Sequence, residues 1–307
     1  MRQKKKKSEP VKNGFLFPFM GEIIAQLRYL GKIRTSETYR SALSSFMRFR
    51  EGRDIRISDI TDDVLISYED ALKVSGLSSN TTSFYMRILR AVYNRAVRLG
   101  VAKQEYPFKY VYTGVDKTRK RSVDISTVSS LAELDLSANP SAAFARDMFL
   151  FSFYTRGMSF VDIAYLRKSD LSQGVLTYKR RKTGQMMFVR WEECMENIVA
   201  RYSRPDSPYL LPIITLSEHD ERSQYINMSH KINHSLKNLG NRLGLAVPLT
   251  MYVARHTWAN AARQKMIPLS VISEGMGHMS ENTTRIYLSS LNTDLIDNAN
   301  RKIIRLL

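Results

Sequence analysis

Between residues 15 and 105 the apolar side chains return at intervals of three and four, and each run opens on a residue able to cap a helix. Thr35 or Ser36 precedes Tyr39, Leu43, Phe46 and Phe49. Thr61 precedes Val64, Leu65, Tyr68 and Leu72, and Ser79 or Asn80 precedes Leu89, Val92, Tyr93 and Ala96. A period near 3.6 gathers such residues on one helical face, and a capping oxygen accepts an amide hydrogen that the first turn leaves without a partner. The region therefore reads as helices only. Its third helix carries a second pattern, Arg87, Arg90, Asn94 and Arg98, a polar and mostly basic stripe. With no glutamate interleaved and a net charge of +18 on the chain, the stripe suits either solvent or a phosphate backbone.

Gly100 suits a helix end. Beyond it, Tyr106-Pro107-Phe108-Lys109-Tyr110 leads to Lys117-Thr118-Arg119-Lys120-Arg121. Residues 106–122 are expected to form a basic interdomain linker in which Lys117, Arg119, Lys120 and Arg121 track phosphates. Residues 123–307 are expected to be mostly helical with one strand pair, giving a mainly α class with a small β-hairpin. Asn139-Pro140 opens a helix through Phe144, Met148, Phe149 and Phe153. The β-prone runs 174–178 and 186–189 flank Lys179-Arg180-Arg181-Lys182-Thr183-Gly184, a hairpin with a cationic turn. Further helices are expected near 191–203, 228–243, 251–266 and 293–306.

Lys and Arg outnumber Asp and Glu 47 to 29, which fits a polyanionic partner, nucleic acid rather than membrane. Residues 1–14 form a basic tail suited to seeking phosphates; its apolar continuation is too short, and too soon broken by Pro18, for a signal peptide. No segment has the length of a membrane span. Cys194 is the only cysteine, so no intrachain disulfide can form, which suits a reducing cytoplasm. His230 and His234 share a helical spacing, yet no third ligand pattern accompanies them, and there is no phosphate-binding glycine loop or dinucleotide turn. Neither a metal nor a cofactor is expected.

The chemistry-bearing residues lie late in the chain: Arg255-His256-Thr257, Gly277-His278 and Tyr287. A phenol attacking a phosphodiester needs cations around the phosphate, whose non-bridging oxygens gain charge in the transition state, and a proton for the leaving oxygen. A guanidinium, two imidazoles and a phenol within a few tens of residues, in a strongly basic chain, point to covalent cleavage of a DNA strand.

In the order Lys182, Arg255, His278, Tyr287 the chain resembles the tyrosine recombinase, or phage integrase, family. Arg255-His256-Thr257-Trp258-Ala259 is similar to that family's Arg-His-Thr-Phe-Ala segment, and Gly275-Met276-Gly277-His278 to its Leu-Gly-His block, with Tyr287 nine residues after the histidine. Lys182-Thr183-Gly184 matches the hairpin lysine. Arg156-Gly157-Met158-Ser159-Phe160-Val161-Asp162 resembles the form found in integrases of Bacteroidetes mobile elements. The resemblance implies a helical core-binding (SAM-like) domain at 15–105 and a catalytic domain at 123–307. It implies that Tyr287 attacks phosphorus to give a 3′-phosphotyrosyl link and a free 5′-hydroxyl, that Arg255 and His278 hold the non-bridging oxygens, and that Lys182 protonates the leaving oxygen. Double-stranded DNA, a tetramer on two DNA sites and an accessory DNA-bending protein are the partners it implies, in a cytoplasmic, nucleoid-associated setting. Lys179, Arg180 and Arg181 rival Lys182, and Arg180 is also a candidate DNA contact.

Two positions depart from the family pattern. Aligning Asp162 with the usual acidic residue leaves Ser159 where the first arginine belongs, and Arg156, three residues earlier, is expected to substitute if the stretch is helical. Tyr252 stands where histidine or lysine is usual, keeping a hydrogen-bond donor but no charge. Asp162 is expected to brace the site by orienting a histidine or arginine, and His256 to support it structurally. Leu295, Ile296, Ala299, Ile303 and Ile304 give the last helix an apolar face for a neighbouring protomer or for its own domain. With only a short basic tail ahead of the core-binding region, no further arm-binding domain is expected, which would favour a simple recombinase, such as a DNA invertase or resolvase-like enzyme, or a small element's integrase. Two rivals stand beside this reading: a catalytically idle DNA-binding relative and a type IB topoisomerase-like enzyme.

Overall fold

The computed structural model describes residues 14–116, 122–215, 220–288 and 304, with Ile286 and Tyr287 represented by backbone alone. The chain divides into two units between residues 118 and 119. In the first, α1 (Leu16–Tyr29), α2 (Ile33–Phe49), α3 (Asp62–Val74) and α4 (Ser79–Arg98) surround one apolar core. Thr61 caps α3 by accepting the Val64 amide at 3.4 Å. Ser78 caps α4, one residue ahead of the expected start. Helix α2 begins earlier than its Thr35 or Ser36 signal, at Ile33, so Ser36 is buried inside it with its hydroxyl on the Ile33 carbonyl, 2.7 Å away. Phe46 and Tyr68 meet edge to face at 4.9 Å in the core, and burial pushes the Tyr68 phenol up to about 12.

Residues 106–116, expected within the linker, fold against this helical unit. Phe108 and Val111 are buried in its core, the Tyr112 amide donates to Glu69 Oε1 at 2.7 Å, and the Asp116 amide donates to Asn80 Oδ1 at 2.9 Å. The apolar Phe108 and Val111 would leave water-exposed surface in a free linker, so their packing ends the unit later than charge alone suggested. Lys117, Arg119, Lys120 and Arg121 lie outside the described residues, as does the tail through residue 13.

The second unit comprises α5 (Ile125–Glu133), α6 (Pro140–Tyr154), α7 (Phe160–Ala164), strands β1 (Leu171–Ser172), β2 (Val175–Lys179) and β3 (Met186–Arg190), then α8 (Glu193–Tyr202), α9 (Glu221–Arg242), α10 (Met251–Gln264), α11 (Leu269–Gly275) and α12 (Glu281–Tyr287). Helix α6 is capped by Asn139, which accepts the Ala142 amide at 3.0 Å, and it is buried from Ala145 through Phe151 except at Arg146. A helix apolar nearly all round belongs inside a domain, and α6 packs against α9 and α10. The strands form one antiparallel sheet in the order β1-β2-β3, with Leu176 opposite Val189 and Tyr178 opposite Met187, all four facing the core. The expected final helix lies outside the described residues apart from Ile304, which is exposed. Among the described residues no helix is long and apolar enough to cross a membrane.

Candidate active site

The site is assembled where α6 ends. Thr155 turns its hydroxyl back to the Phe151 carbonyl at 2.7 Å, and the Gly157 amide reaches the Ser152 carbonyl at 2.8 Å. Arg156 and Gly157 both adopt left-handed backbone, with φ of 61° and 72°. Glycine is required at 157 for a second reason: a Cβ there would lie 2.8 Å from Arg255 Cα and 2.9 Å from its Cγ. The missing side chain lets α10 approach the turn closely enough for Arg255 to cross it.

Arg255 is 4% exposed. Its Nη1 donates to the Gly157 carbonyl and its Nη2 to the Met276 carbonyl, each at 2.6 Å, and Nη2 also lies 2.9 Å from His278 Nε2. A guanidinium has only donors, so Nε2 accepts and the ring proton sits on Nδ1, which donates to Thr284 Oγ1 at 2.8 Å. His278 is thus a neutral imidazole. Its pKa is lowered to about 3, first by burial and then by the charges of Arg255, Arg180 and Lys182. Thr284 is fully buried on α12, so the hydrogen bond joins the histidine loop to the helix that ends at Tyr287. The Tyr287 side chain lies outside the described atoms.

The hairpin turn approaches from the other side. Arg180 was expected on the DNA-facing surface; instead its guanidinium is buried and donates to the Gly277 carbonyl. The alternation of β2 explains this, since Leu176 and Tyr178 face inward and Arg180 continues that face. Arg181 is exposed and lays its guanidinium over the Tyr165 ring, 3.4 Å from the centroid. Lys182 stands exposed on the turn. Buried Tyr178 has its phenol pKa raised by burial and by Asp162, against the lowering charges of Arg255, Arg180 and Arg156.

Two expectations about the Arg156 stretch change. It is not helical, because α6 stops at Tyr154 and α7 starts at Phe160, so Arg156 and Ser159 share no helical face. Arg156 instead turns toward α11, its Cδ 3.7 Å from the position of a Cβ on Gly275. Among the described residues Asp162 orients no histidine or arginine side chain: Oδ1 accepts the Arg181 backbone amide at 2.8 Å and Oδ2 accepts the Ser159 hydroxyl at 2.6 Å. It braces the hairpin turn itself, and Ser159 serves Asp162. Tyr252 is half exposed on α10 and meets the buried His256 edge-on, with ring centroids 4.6 Å apart. In the helical unit Arg90 and Arg98 are exposed and Arg87 is half-buried, with Arg90 Nη1 donating to Thr113 Oγ1 at 3.0 Å. Among the described residues no three His, Cys, Asp or Glu side chains converge as metal ligands.

The structure therefore brings Arg255, His278, Arg156, Asp162 and the Lys182 turn to one place. Sequence reasoning overlooked Gly157, Thr284 and Tyr178. A glycine beside a motif arginine and a threonine six residues past His278 were the available signals.

Residues 15–111 match the phage integrase SAM-like domain, and residues 128–293 match the phage integrase family. The tyrosine recombinase XerD of Pseudomonas aeruginosa is 22% identical over 260 residues, covering 82% of this chain and 85% of that protein. Two solved structures share the fold. A lambda integrase tetramer bound to a Holliday junction superposes with a TM-score of 0.68 at 14% identity, over 90% of this chain and 77% of that one. The Tn1549 transposon integrase in complex with a circular intermediate DNA gives 0.66 at 15% identity, over 94% and 98%. The chain belongs to the phage integrase family of tyrosine recombinases. It is a site-specific DNA breaking and rejoining enzyme that works through a 3′-phosphotyrosyl intermediate.

Proposed function

We propose that Tyr287 is the nucleophile and that Arg255, His278, Arg156 and Lys182 form the cradle in which it reacts. The phenol oxygen bonds to the scissile phosphorus and gives its proton to solvent. The bond from phosphorus to the 5′ oxygen breaks, its electron pair stays on that oxygen, and Lys182 supplies the proton that makes the 5′-hydroxyl. Arg255 holds the non-bridging oxygens, its donors directed by the carbonyls of Gly157 and Met276. A bound phosphate adds negative charge beside His278, opposing the cations that depress its pKa, and lets the ring donate rather than accept. The ester conserves the bond energy, so attack by another strand's 5′-hydroxyl reseals DNA without ATP.

The convergence of Arg255 with His278 carries this reading, because two buried groups from separate elements face one another in a strongly basic chain. Arg156 is the proposed substitute for the family's first arginine. It is half-buried, its charge is felt at Tyr178 together with those of Arg255 and Arg180, and its side chain leans toward α11. Tyr252 is a proposed uncharged phosphate donor, and His256 supports its ring.

The exposed cations of α4, Arg90 and Arg98 with the partly covered Arg87, are proposed DNA-backbone contacts, joined by Lys117, Arg119, Lys120 and Arg121. Assembly is proposed as four protomers on two duplexes, a reading supported by the lambda integrase tetramer bound to a Holliday junction. An accessory DNA-bending protein and a nucleoid-associated location complete the proposal, with integration, excision or inversion of a DNA segment as the outcome.

The test is covalent capture. The protein and a Tyr287→Phe control are expressed in the source cells and denatured without proteolysis, and any attached DNA is sequenced. Discrete DNA ends on the wild type alone identify the nucleophile and the target site together. DNA binding without an adduct, also on a nicked duplex that traps cleavage, removes the catalytic roles and leaves an idle binder.

A further inference from the structure

We infer that Arg180 is a positioning residue that ties the root of the Lys182 turn to the Gly277–His278 loop and so sets where Lys182 delivers its proton. The inference rests on the proposed role of Lys182 as general acid.

Strand β2 ends at Lys179, and the turn begins at Arg180. The Arg180 amide donates to the Gln185 carbonyl at 2.8 Å and its carbonyl accepts the Gly184 amide at 2.7 Å, so this residue closes the turn that presents Lys182. Its side chain is 4% exposed and ends on the Gly277 carbonyl, one residue before His278. Gly277 is shaped to receive it. Its φ is +64°, and a Cβ there would stand 3.1 Å from Arg180 Cδ and 2.7 Å from Met187 Sδ. The hairpin is held a second time where Asp162 takes the Arg181 amide. Lys182 thus springs from a turn fastened at two successive residues, to the histidine loop and to α7.

A buried guanidinium is a poor choice for simple packing, since desolvating it is offset only by well-aimed hydrogen bonds. Its rigid, directional donors suit it to fixing one loop against another. The fastening matters because proton transfer demands reach: a misplacement of about 1 Å can slow a reaction on the order of 100-fold. An exposed lysine on an unfastened hairpin would spread its ammonium group over many positions. Arg180 itself need not touch the phosphate.

The experiment uses the full chain and a nicked duplex carrying the captured target site, prepared with oxygen or with sulfur as the 5′ bridging atom. With sulfur, attack by the phenol breaks the phosphorus–sulfur bond and a thiolate departs without needing a proton, the thiol pKa being about 8.5. Lys182→Ala is expected to be slow on oxygen and restored on sulfur. If it stays slow on sulfur, Lys182 is not the acid and the inference falls with that role. With Lys182→Ala restored, Arg180→Met is expected to cleave the oxygen substrate about 100-fold slower than wild type, yet the sulfur substrate within about fivefold. Equal slowing on both substrates overturns the inference and assigns Arg180 to the phosphate site or the fold. Wild-type rates on both overturn it as well. Arg180→Lys keeps the cation with a shorter reach; it carries the same comparison, with a smaller defect, if the methionine variant fails to fold.

Discussion

The two units use arginine in opposite ways. In the helical unit Arg90 and Arg98 lie in solvent along α4, on a face whose other side packs a core of Leu89, Val92 and Tyr93. In the catalytic unit Arg255 and Arg180 are each 4% exposed and end on backbone carbonyls. A solvated arginine attracts phosphates at long range, adapts to any backbone, and is screened by salt. A buried one, aimed by carbonyls, is prepared for charge at one point and rearranges little as that charge develops. The first arrangement suits holding DNA, and the second suits cutting it.

The largest effect expected from breaking this division is at Arg255. Arg255→Ala removes a preorganised donor and leaves two carbonyls without it, so adduct formation on a nicked substrate is expected to fall by about 10³-fold with DNA affinity reduced far less. Gly157→Ala tests the aim of Arg255 rather than its charge. The added methyl meets Arg255 Cα at 2.8 Å in left-handed backbone, so adduct formation is expected to drop about 100-fold and stability by roughly 1–3 kcal/mol, read by urea unfolding.

A smaller effect comes from pH. His278 is held neutral, with its pKa near 3 against an ordinary 6.5. Between those values the unfolded chain binds more protons than the native one, so the contribution is complete above about 6.5 and is lost as pH falls toward 3. The unfolding free energy of the DNA-free protein is expected to decline on acidification from pH 7 to 4, less steeply in His278→Gln. Parallel slopes would show that the ring titrates normally.

The smallest effects are expected on the helical unit. Arg90→Ala and Arg98→Ala should each weaken binding about three- to tenfold at low salt and reduce the salt slope by about one, leaving the cleavage rate of saturated DNA intact. A lost cleavage rate at saturation would erase the division between holding and cutting.

How far each unit could be read in advance follows the same line. Thr61 and Asn139 cap where their side chains indicated, because capping is decided within four residues. Helix α1 lay within the region read as helical but no cap marked its start: Pro18 sits in its first turn, and the Phe17 amide is satisfied by Asp54, 37 residues away. The order of Lys182, Arg255, His278 and Tyr287 was legible as a motif. What fastens those residues was not. Asp162 spends its oxygens on a serine and a hairpin amide, and Arg180 turns inward to a glycine carbonyl 97 residues away, both choices made by tertiary packing. Only the two-residue alternation of β2 announced the second.

Two carbonyls and a neutral imidazole are among the partners that aim Arg255, and each of these orients the guanidinium without itself carrying charge. A bound phosphodiester would add negative charge beside this buried guanidinium, so the substrate acts as a late-arriving structural component of the catalytic unit. By thermodynamic linkage, a duplex bearing the target site raises the melting temperature of this protein, and the gain shrinks wherever Arg255 loses its charge.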